Sequence, residues 1–506
     1  MIYWKNDVKG DKIVKTNNSV IDLIDLSEIK MYINGKWQGA QNGEIFSVIN
    51  PSTGEVVANI PRGGQSETKH AIESAEQAFK TWSKLTANER ASYLLKVHDL
   101  MYEYKDQLAE IMSLEMGKPF TEAQGEVGFA ASYLQWFAEE GRRVYGETIP
   151  PSAANKRLMV IKQPIGVVAA ITPWNFPLAM MTRKVAPAMA SGCTSIVKPA
   201  GQSPISALAF GKLLEMAGVP NGVVNIITGS SGPISDEIFA NPTVKKVSFT
   251  GSTEVGKMLV KKSAAQLKRL SLELGGHAPF IVFEDADIDA AASGAVASKF
   301  RNTGQTCVCA NRIYVQRSII EKFSALFVEK AKALKVGNSI DPSVQVGPLV
   351  SYDGLAKVEE HVNDAVSKGA RILCGGKRIE GDLSDGLFYE PTILGEVNSD
   401  MLITTDETFG PVAPIIAFDT EEEVIELANK TEYGLAAYFY TQNISRSVRV
   451  SEALQFGIIG MNDAVPTVAQ APFGGFKESG MGKEGGHQGI SEYLEEKYIS
   501  MGIEAK

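Results

Sequence analysis

One short segment, residues 300–312, contains the side chain best suited to act as a nucleophile, Cys307. The segment reads FRNTGQTCVCANR, so the thiol follows Gly-Gln-Thr and has Arg301 and Arg312 nearby in the sequence. Burial in apolar surroundings raises the pKa of a thiol, whereas nearby cations and backbone N–H groups favour the reactive thiolate. Cys307 is therefore a candidate nucleophile, although this segment alone fits a small space-filling residue equally well.

Three other segments contain groups that could work with a thiol. Residues 173–177 read PWNFP, which holds Asn175 between two prolines that restrict the backbone. Residues 272–279 read LELGGHAP and place Glu273 at the end of an apolar run, just before a Gly-Gly pair. Residues 407–411 read ETFGP. An amide and a carboxylate are the groups needed to stabilise an oxyanion and to move a proton.

Together the four segments resemble the aldehyde dehydrogenase superfamily, and the resemblance covers about residues 31–503. An sp² carbonyl has no hydride to give, so oxidation begins with a tetrahedral adduct that a thiolate can form. The resemblance implies that Cys307 attacks the aldehyde, while the Asn175 amide and the Cys307 backbone N–H stabilise the oxyanion. It implies that Glu273 then activates the water that hydrolyses the thioester.

The position of Glu273 in an apolar run predicts that desolvation raises the pKa of its carboxyl group. The alternative is a carboxylate at the end of a strand whose oxygens accept hydrogen bonds from the backbone.

Residues 249–257, FTGSTEVGK, suggest a site for a dinucleotide. Gly251 permits a tight turn, and the helix that follows offers N–H groups and a positive dipole end to a pyrophosphate. The spacing of Gly251 and Gly256 differs from the usual G-x-G-x-x-G fingerprint, so the segment alone also fits a plain strand-to-helix turn. In the family context, Gly251, Ser252 and Gly256 lie against the diphosphate of NAD or NADP.

The resemblance assigns further residues to the cofactor. Lys198, at the end of a strand in VKPAGQSP, would bind the hydroxyl groups of the adenosine ribose. NAD-preferring members commonly carry a glutamate three residues later, where this chain has Gly201, so the choice between NAD and NADP stays open. The resemblance also implies that Glu407 binds the nicotinamide ribose and that Phe409 packs against the nicotinamide ring. It implies that Thr172 and Trp174 line the cofactor site as well.

The substrate assignment rests on fewer residues. The CVC sequence after Thr306, RILCGGKR and APFIVFEDADIDAA resemble the succinate-semialdehyde dehydrogenase branch. In that branch two arginines bind the substrate carboxylate, and they correspond to Arg183 and Arg301; the planar guanidinium can bind a carboxylate through two hydrogen bonds. Alternatively, each arginine pairs with a neighbouring acid. The branch also uses a serine that is missing here, and Thr467 is its candidate substitute.

Several alternatives stay open. The enzyme could have a different or broad range, such as lactaldehyde, glutarate semialdehyde or aliphatic aldehydes. A silent relative is disfavoured because both Cys307 and Glu273 are present, and Glu273 also favours hydrolysis over transfer of the acyl group to coenzyme A. A reversible Cys307–Cys309 disulfide under oxidation is a further hypothesis, because Cys309 lies two residues away and a low-pKa thiolate is easily oxidised. The alternative is that Cys309 simply packs beside the site.

The composition is that of a globular protein with two or three domains: 506 residues, 44% hydrophobic and 22% charged. A net charge of −9 disfavours nucleic acid and anionic membranes as partners. The four cysteines do not suggest a disulfide framework, and the Cys307–Cys309 spacing lacks the second pair that a zinc site needs, so no metal is expected. No apolar stretch approaches the length of about 20 residues that spans a bilayer, and we expect cytoplasmic residence.

The elements that must position these residues alternate between short apolar strands and helices, which predicts an α/β fold with parallel sheets. We expect an N-terminal extension at 1–28, a Rossmann-like NAD(P)-binding domain at 29–143 and 164–275, and an α/β catalytic domain carrying Cys307 at 276–484. The remaining segments, 144–163 and 485–506, would form a small β oligomerisation arm. The resemblance implies that the C-terminal strand pairs with the ribbon at 144–163 and completes the sheet of a neighbouring subunit in a homodimer or homotetramer.

Overall fold

A computed structural model of the chain describes residues 23–504. The predicted extension at 1–28 therefore lies mostly outside the described residues. Its last part is not separate from the body of the protein, because Leu23 and Leu26 are buried in the same core cluster as Ile29. Helices and strands alternate through the rest of the described chain, as the apolar pattern predicts.

The strands are named here in chain order. They are β1 (Met31–Ile33), β2 (Lys36–Gln38), β3 (Ile45–Ile49), β4 (Val56–Pro61), β5 (Glu147–Ile149), β6 (Lys156–Pro164), β7 (Val167–Ile171), β8 (Thr194–Lys198), β9 (Val224–Ile226), β10 (Val244–Thr250), β11 (Arg269–Glu273), β12 (Ala278–Val282), β13 (Ala310–Gln316), β14 (Arg371–Cys374), β15 (Thr392–Gly395), β16 (Val412–Phe418), β17 (Ala436–Tyr440), β18 (Ile458–Met461), β19 (Gly480–Met481) and β20 (Leu494–Gly502).

The helices follow the same convention. They are α1 (Gln65–Trp82), α2 (Ala87–Glu103), α3 (Lys105–Met116), α4 (Phe120–Glu140), α5 (Ala179–Ser191), α6 (Pro204–Met216), α7 (Ser231–Ala240), α8 (Thr253–Ser263), α9 (Ile288–Phe300), α10 (Ile320–Lys332), α11 (Tyr352–Ser367), α12 (Glu421–Asn429), α13 (Ile444–Ala453) and α14 (Gly486–Ser491). Short 3-10 helices occur at Gly141–Arg143, Arg301–Gly304, Arg317–Ile319, Gly381–Leu383, Leu402–Thr404 and Lys477–Ser479.

The first sheet has the order β19-β11-β10-β7-β8-β9-β1-β2. Its central strands, from β11 to β9, run parallel. Most of their residues are buried, as expected for a parallel sheet with helices on both faces. The carboxyl ends of β7, β8 and β10 therefore meet at one edge, where a doubly wound sheet binds ligands.

The second sheet has the order β14-β15-β16-β13-β12-β17-β18 and is parallel apart from β14. Cys307 lies in the loop between α9 and β13. The largest apolar core lies between helices α2–α6 and the first sheet, and a second core surrounds β12, β13 and β17 under α9 and α10. These two α/β units bring the ends of their strands toward a shared cleft.

The third sheet, β20-β6-β5, is antiparallel. Its register runs from Leu494 opposite Pro164 to Gly502 opposite Lys156, so the C-terminal strand pairs with the ribbon at 144–163 of the same chain. Pairing of this sheet with a neighbouring subunit stays a prediction.

One segment crosses the domain boundary that the sequence suggests. Residues 480–481, which the boundary at 484 assigns to the catalytic domain, form β19 on the edge of the first sheet. Gly480 stands opposite Glu273, with its φ at 128° and a Cβ position only 2.0 Å from the Leu272 carbonyl oxygen. A side chain does not fit there, so the close approach depends on glycine. The strand that carries Glu273 is thus fixed by a segment about 200 residues away.

Within residues 23–504, no helix combines the length and the apolar character needed to cross a membrane. The same residues contain no group of three or more His, Cys, Asp or Glu side chains placed to hold a metal ion.

Candidate active site

The backbone just before Cys307 has an unusual conformation. After α9 ends at Phe300, Asn302, Thr303 and Gly304 all have positive φ, at 49°, 58° and 75°. L-residues rarely adopt this left-handed conformation, and a threonine does so only when its surroundings hold it there. The run reverses the chain between α9 and β13 and brings the thiol to the cleft between the two units.

Side chains from distant elements hold this reversed segment. The Asn302 amide donates to the carbonyls of Asn175 and Gln305, at 3.1 and 3.2 Å. The Gln305 side chain donates to the Asn302 carbonyl at 3.1 Å and accepts from the Val350 N–H at 2.9 Å. The Glu122 carboxylate accepts the Asn302 backbone N–H at 2.8 Å. These bonds satisfy polar groups that the irregular backbone would otherwise leave buried without partners.

Cys307 is partly buried and lines the main cavity of the cleft. The pKa of its thiol lies well above the ordinary value, because burial and the nearby Glu273 carboxylate raise it more than Arg183 lowers it. The expectation that Arg301 and Arg312 favour the thiolate is therefore wrong in this structure. The Arg312 guanidinium is buried elsewhere and donates to backbone carbonyls, including that of His277 at 2.9 Å.

Asn175 lies behind the nucleophile segment. It is buried, and its Nδ2 donates to the Gln305 carbonyl at 3.1 Å. An amide has two N–H donors, so this bond leaves the second donor for an oxyanion.

Glu273 ends β11 and is buried. Burial raises the pKa of its carboxyl group, as the apolar run predicts, and the Arg183 charge opposes this increase. Oε2 accepts from Arg183 Nη2 at 3.2 Å, whereas Oε1 has no hydrogen-bond partner among the described residues. The sequence alternative, in which backbone N–H groups satisfy this carboxylate, is not what the structure shows.

A buried ionic network continues from Glu273 away from the cavity. The Arg183 Nε lies 2.5 Å from Glu484 Oε2, and the Lys184 Nζ lies 2.5 Å from Glu484 Oε1. Lys184 also donates to the Thr250 hydroxyl at 2.6 Å. Burial raises the pKa of Glu484, but the charges of Lys184 and Arg183 lower it by more than burial raises it. The pKa of Glu484 therefore lies below its ordinary value. Sequence reasoning missed Glu484 and Lys184, because no local pattern reveals that their charges are buried together.

Arg183 has two kinds of neighbour. Its side chain is fully buried and pairs with two carboxylates. This agrees with the alternative given above, in which the arginine pairs with a neighbouring acid. It also lines the cavity, with its guanidinium carbon 4.0 Å from the centre of the Phe473 ring. Its Nη1 has no hydrogen-bond partner among the described residues. One donor thus remains for a ligand even though the positive charge is already compensated.

The cavity beside Cys307 has a volume of about 340 Å³. Its walls are mainly apolar, and they include Phe129, Phe176, Met180, Val465 and Phe473. Among its charged and polar side chains are those of Lys118, Glu122, Glu126, Arg183, Arg301 and Thr467. A small apolar cavity with a few polar groups suits a small ligand bound in one orientation.

The charges at this cavity are not all positive. Lys118 makes an ion pair with Glu126 and donates to the Asn175 carbonyl at 2.8 Å. Glu126 in turn accepts the N–H groups of Leu178 and Ala179 at the start of α5. Burial raises the pKa of Glu122 to about 7, against the bond from the Asn302 N–H and the charges of Lys118 and Arg301. Sequence reasoning missed these three residues of the segment 118–126 as well.

Arg301 is the arginine of the cavity without a carboxylate in ion-pair contact among residues 23–504. Its guanidinium carbon lies 5.5 Å from the centre of the Phe176 ring, and its buried Nε has no hydrogen-bond partner. Thr467 lines the same cavity.

Cys309 lies apart from the cavity. It is buried, with its Sγ 3.6 Å from the Lys299 carbonyl oxygen, and both it and Cys307 are free thiols. The Cys309 N–H donates to the Thr306 carbonyl at 3.1 Å, so residues 306–309 form a turn.

The predicted cofactor residues line the carboxyl edge of the first sheet. Ser252 caps α8, with its hydroxyl accepting the Val255 N–H at 3.4 Å. A Cβ at Gly251 would lie 2.4 Å from the Phe249 ring, and one at Gly256 would lie 2.5 Å from Leu274. Both positions therefore require glycine if the turn and the helix are to lie this close to the strands.

The other predicted cofactor residues come from both α/β units. Lys198 Nζ donates to the Ser231 hydroxyl at 2.9 Å, while Gly201 has open space above its Cα. Trp174 and Phe409 meet edge to face at 5.6 Å between ring centroids, and Glu407 Oε1 accepts the Gly276 N–H at 3.2 Å.

Burial raises the pKa of Glu407 to about 8. The buried Thr172 hydroxyl has no hydrogen-bond partner in the described chain. This set of donors and close-packed glycines fits a dinucleotide.

Comparison with known proteins gives a consistent result. A family model described as the aldehyde dehydrogenase family matches residues 37–499. The NADP(+) succinate-semialdehyde dehydrogenase GabD of Escherichia coli strain K12 is 53% identical over 471 residues, which covers 93% of this chain and 97% of that protein. Glutarate-semialdehyde dehydrogenase of Pseudomonas putida is 52% identical over 472 residues, which covers 93% and 97% of the two chains.

A solved structure supports the fold directly. The crystal structure of an E. coli NADP-dependent enzyme superposes with a TM-score of 0.93 at 52% identity and covers 94% of this chain and 99% of that chain.

Proposed function

The chain belongs to the aldehyde dehydrogenase family, and we propose that the aldehyde it oxidises carries a carboxylate at its far end, with succinate semialdehyde as the preferred substrate. The protein is an NAD(P)-dependent oxidoreductase that acts on an aldehyde. The substrate, the roles of individual residues and the assembly of subunits are the parts that we propose.

The single observation that carries the substrate proposal is the position of Arg301. Its guanidinium lines the cavity that contains Cys307, and no carboxylate among the described residues is in ion-pair contact with it. The guanidinium is half-buried and close enough to Glu122 for their charges to interact, but a substrate carboxylate that forms a direct ion pair with it gains more than a neutral group does. The planar guanidinium can bind that carboxylate through two bonds, and the free Nη1 of Arg183 and the Thr467 hydroxyl add further donors.

The length of the substrate follows from the same cavity. A volume of about 340 Å³ bounded by aromatic side chains holds a short aldehyde between the thiol and the arginine. Glutarate semialdehyde is the second candidate, because the relative of that name is almost as similar to this chain as the E. coli enzyme. A pocket distinguishes substrates that differ by one methylene group by only about 1–3 kcal/mol.

The proposed reaction begins with the thiol. Cys307 Sγ forms a bond to the aldehyde carbon, and the carbonyl oxygen becomes an oxyanion between the second N–H of Asn175 and the Cys307 backbone N–H. The Glu273 carboxyl group lies close enough to interact with the thiol, and its unpartnered Oε1 would take the thiol proton. Bound NAD(P) would supply the acceptor for the hydride that leaves the tetrahedral carbon, and the loss of this hydride leaves a thioester on Cys307.

Hydrolysis completes the cycle. Once Glu273 has passed the thiol proton to solvent, it takes a proton from a water molecule, and the hydroxide attacks the thioester carbon. The C–S bond breaks, the proton on Glu273 returns to the Cys307 sulfur, and the carboxylic acid is released. The buried Glu273 carboxylate is a stronger base than an exposed one, because burial raises its pKa. The ion pair between Arg183 and Oε2 lowers the pKa of Glu273 and so offsets part of the increase that burial causes.

The test is a comparison of kcat/KM for four aldehydes with saturating cofactor: succinate semialdehyde, glutarate semialdehyde, butanal and pentanal. We expect the two carboxylate-bearing aldehydes to exceed their neutral counterparts by at least about 100-fold, since a neutral aldehyde leaves the arginine unpaired in a closed pocket, at a cost of about 3 kcal/mol. Equal values for butanal and succinate semialdehyde would reject the anionic substrate and leave a general aldehyde dehydrogenase.

We also propose that β20-β6-β5 joins subunits into a homodimer or homotetramer, since its exposed residues include Tyr498 and Met501, and such an apolar sheet edge favours pairing. Light scattering of the full chain and of a form with Tyr498→Lys tests the assembly. We keep the domain boundaries given by the sequence as part of this proposal. The proposal also includes cytoplasmic residence and no nucleic acid or membrane partner.

A further inference from the structure

Glu122 places an acidic side chain in the wall of the cavity that we propose for an anionic substrate. It lies in the first turn of α4, is partly buried, and lines the cavity together with Arg301 and Cys307. An ionised carboxylate at this position repels a ligand that brings a second negative charge to the cavity. The reaction proposed above gives Glu122 no step of its own.

Most of the other charged side chains of the cavity wall are already paired. Lys118 makes an ion pair with Glu126, and Arg183 makes ion pairs with two buried carboxylates. Of the charged side chains that line the cavity, Arg301 and Glu122 are the two without a direct ion pair among residues 23–504. The charge of Glu122 is instead balanced at longer range, by Lys118 and Arg301.

Binding of a carboxylate to Arg301 changes this balance. The ligand neutralises the guanidinium and also brings a second negative charge close to Glu122. Two carboxylates that share a partly desolvated site disfavour each other's ionised form, and one of them then takes up a proton more easily. The ligand carboxylate has the direct ion pair with the arginine, so Glu122 is the group that becomes neutral.

The hydrogen bonds of Glu122 are compatible with a proton on the carboxyl group. Its Oε2 accepts the Asn302 N–H at 2.8 Å, so Oε1 is the oxygen that can carry the proton. Burial and the nearby Glu126 carboxylate raise the pKa of Glu122 to about 7, against the bond from Asn302 and the charges of Lys118 and Arg301. A further negative charge in the cavity therefore acts on a group that is close to half ionised at neutral pH.

We infer that Glu122 is a specificity-determining residue, which takes up a proton from solvent when an aldehyde with a distal carboxylate binds beside Arg301. The inference rests on the proposed function, because it needs the substrate carboxylate at this arginine. Ionised Glu122 disfavours anionic ligands, whereas protonated Glu122 leaves the charge of Arg301 available to them. The proton returns to solvent when the product leaves.

The sign of the pH dependence follows from this exchange. Below about pH 7 Glu122 is already protonated, so anionic ligands bind most tightly there. As the pH rises through this value, the carboxylate forms and must be neutralised again for each anion that binds, so the affinity falls. A neutral ligand has no charge to repel, and its affinity should not follow the ionisation of Glu122.

Proton uptake can be measured without catalysis by isothermal titration calorimetry of the full-length protein with saturating NAD(P). The probe is butanoate, which has the chain length and the carboxylate of succinate semialdehyde but no aldehyde group, and butanamide is its neutral counterpart. Titrations at about pH 7.5 in buffers of different ionisation enthalpy give the number of protons taken up per ligand. We expect on the order of 0.5 proton for butanoate and none for butanamide.

The affinities from the same titrations give a second readout. Between about pH 6 and about pH 9 the Kd of butanoate should rise about five- to tenfold in the wild-type protein, because a like charge appears beside the ligand. The Kd of butanamide should change by less than about twofold over the same range.

Three variants identify the group that takes up the proton. Glu122→Gln keeps an oxygen that can accept the Asn302 N–H but cannot ionise, so it should abolish the uptake and bind butanoate more tightly than the wild type at about pH 9. Glu139→Gln, on the exposed face of the same helix, is the matched control and should behave like the wild type. Glu273→Gln removes the other buried carboxyl group near the thiol and should retain the uptake.

Two results would overturn the inference: no proton uptake with butanoate in the wild-type protein, or equal uptake in Glu122→Gln. In either case, tighter binding of butanoate than of butanamide at about pH 6 would leave the proposed substrate class intact. Equal affinity for the two ligands at that pH would contradict the proposed anionic substrate and this inference together.

Discussion

Arg183 and Glu273 form a buried ion pair with 3.2 Å between Nη2 and Oε2. The sequence assigns these residues to different tasks, the arginine to the substrate carboxylate and the glutamate to the activation of water. Because they are direct partners, a change at Arg183 also changes the base. Arg301, which has no such partner, is the cleaner probe of substrate charge.

Replacement of the two arginines should therefore give different results. Arg301→Ala should lower kcat/KM for succinate semialdehyde by a factor that corresponds to about 2–4 kcal/mol of lost transition-state stabilisation. The kcat/KM for butanal should stay nearly unchanged, because butanal has no carboxylate for the arginine to bind. Arg183→Ala should lower the value for both aldehydes, since it also removes the counter-charge of Glu273 and Glu484. Arg301→Lys is the matched control and should recover part of the loss. Equal losses for both aldehydes in Arg301→Ala would indicate that this residue supports the structure.

Replacement of Cys307 by Ala or Ser should reduce aldehyde oxidation by several orders of magnitude with little change in cofactor affinity. The thiol acts only along the reaction path, so kcat should fall far more than KM rises. Cys374→Ala, which removes a free thiol from β14, should retain activity and serves as the control. Retention of more than about a tenth of the rate in the Cys307 variants would exclude it as the nucleophile.

Glu273→Gln should slow hydrolysis of the thioester more than its formation. The expected signature in stopped-flow absorbance is a burst of reduced cofactor, equal in amount to the enzyme, followed by slow turnover. If the burst and the steady-state rate fall together, Glu273 acts mainly on the thiol proton.

The same variant should change the pH dependence of the thiol. The Glu273 charge raises the pKa of Cys307, so a neutral amide at this position should lower it and increase the thiolate fraction at neutral pH. The rate of alkylation by iodoacetamide should then rise with pH in both proteins, but at lower pH in Glu273→Gln. Glu452→Gln, on the exposed surface of α13, is the matched control. An unchanged alkylation profile in Glu273→Gln would mean that burial alone sets the pKa of the thiol.

Cys309 provides a test of reversible oxidation. We expect peroxide to inactivate the wild-type protein and a reductant to restore it if Cys309, two residues along the chain, traps an oxidised Cys307 as a disulfide. Cys309→Ala should lose activity permanently under the same treatment. Identical recovery of both proteins would show that Cys309 only packs beside the site, as its buried position near the Lys299 carbonyl also allows.

Much of the protein could be predicted from local sequence. The parallel α/β fold follows from apolar strands such as β7 and β12 alternating with helices, because the period of burial is set by the geometry of each element. Cys307, Glu273 and the cofactor glycines lie in short segments whose residue types are needed by the reaction or by the turn itself.

The tertiary structure decided which charges meet. Lys184 and Glu484 are 300 residues apart, and the partners of Arg183 and Glu122 come from other elements. The same holds for the thiol: two arginines nearby in sequence suggested a lowered pKa, but the fold turns Arg312 away and places Glu273 beside a desolvated sulfur. Coulombic interactions and desolvation depend on distance in space and on exclusion of water, and neither is encoded by spacing along the chain.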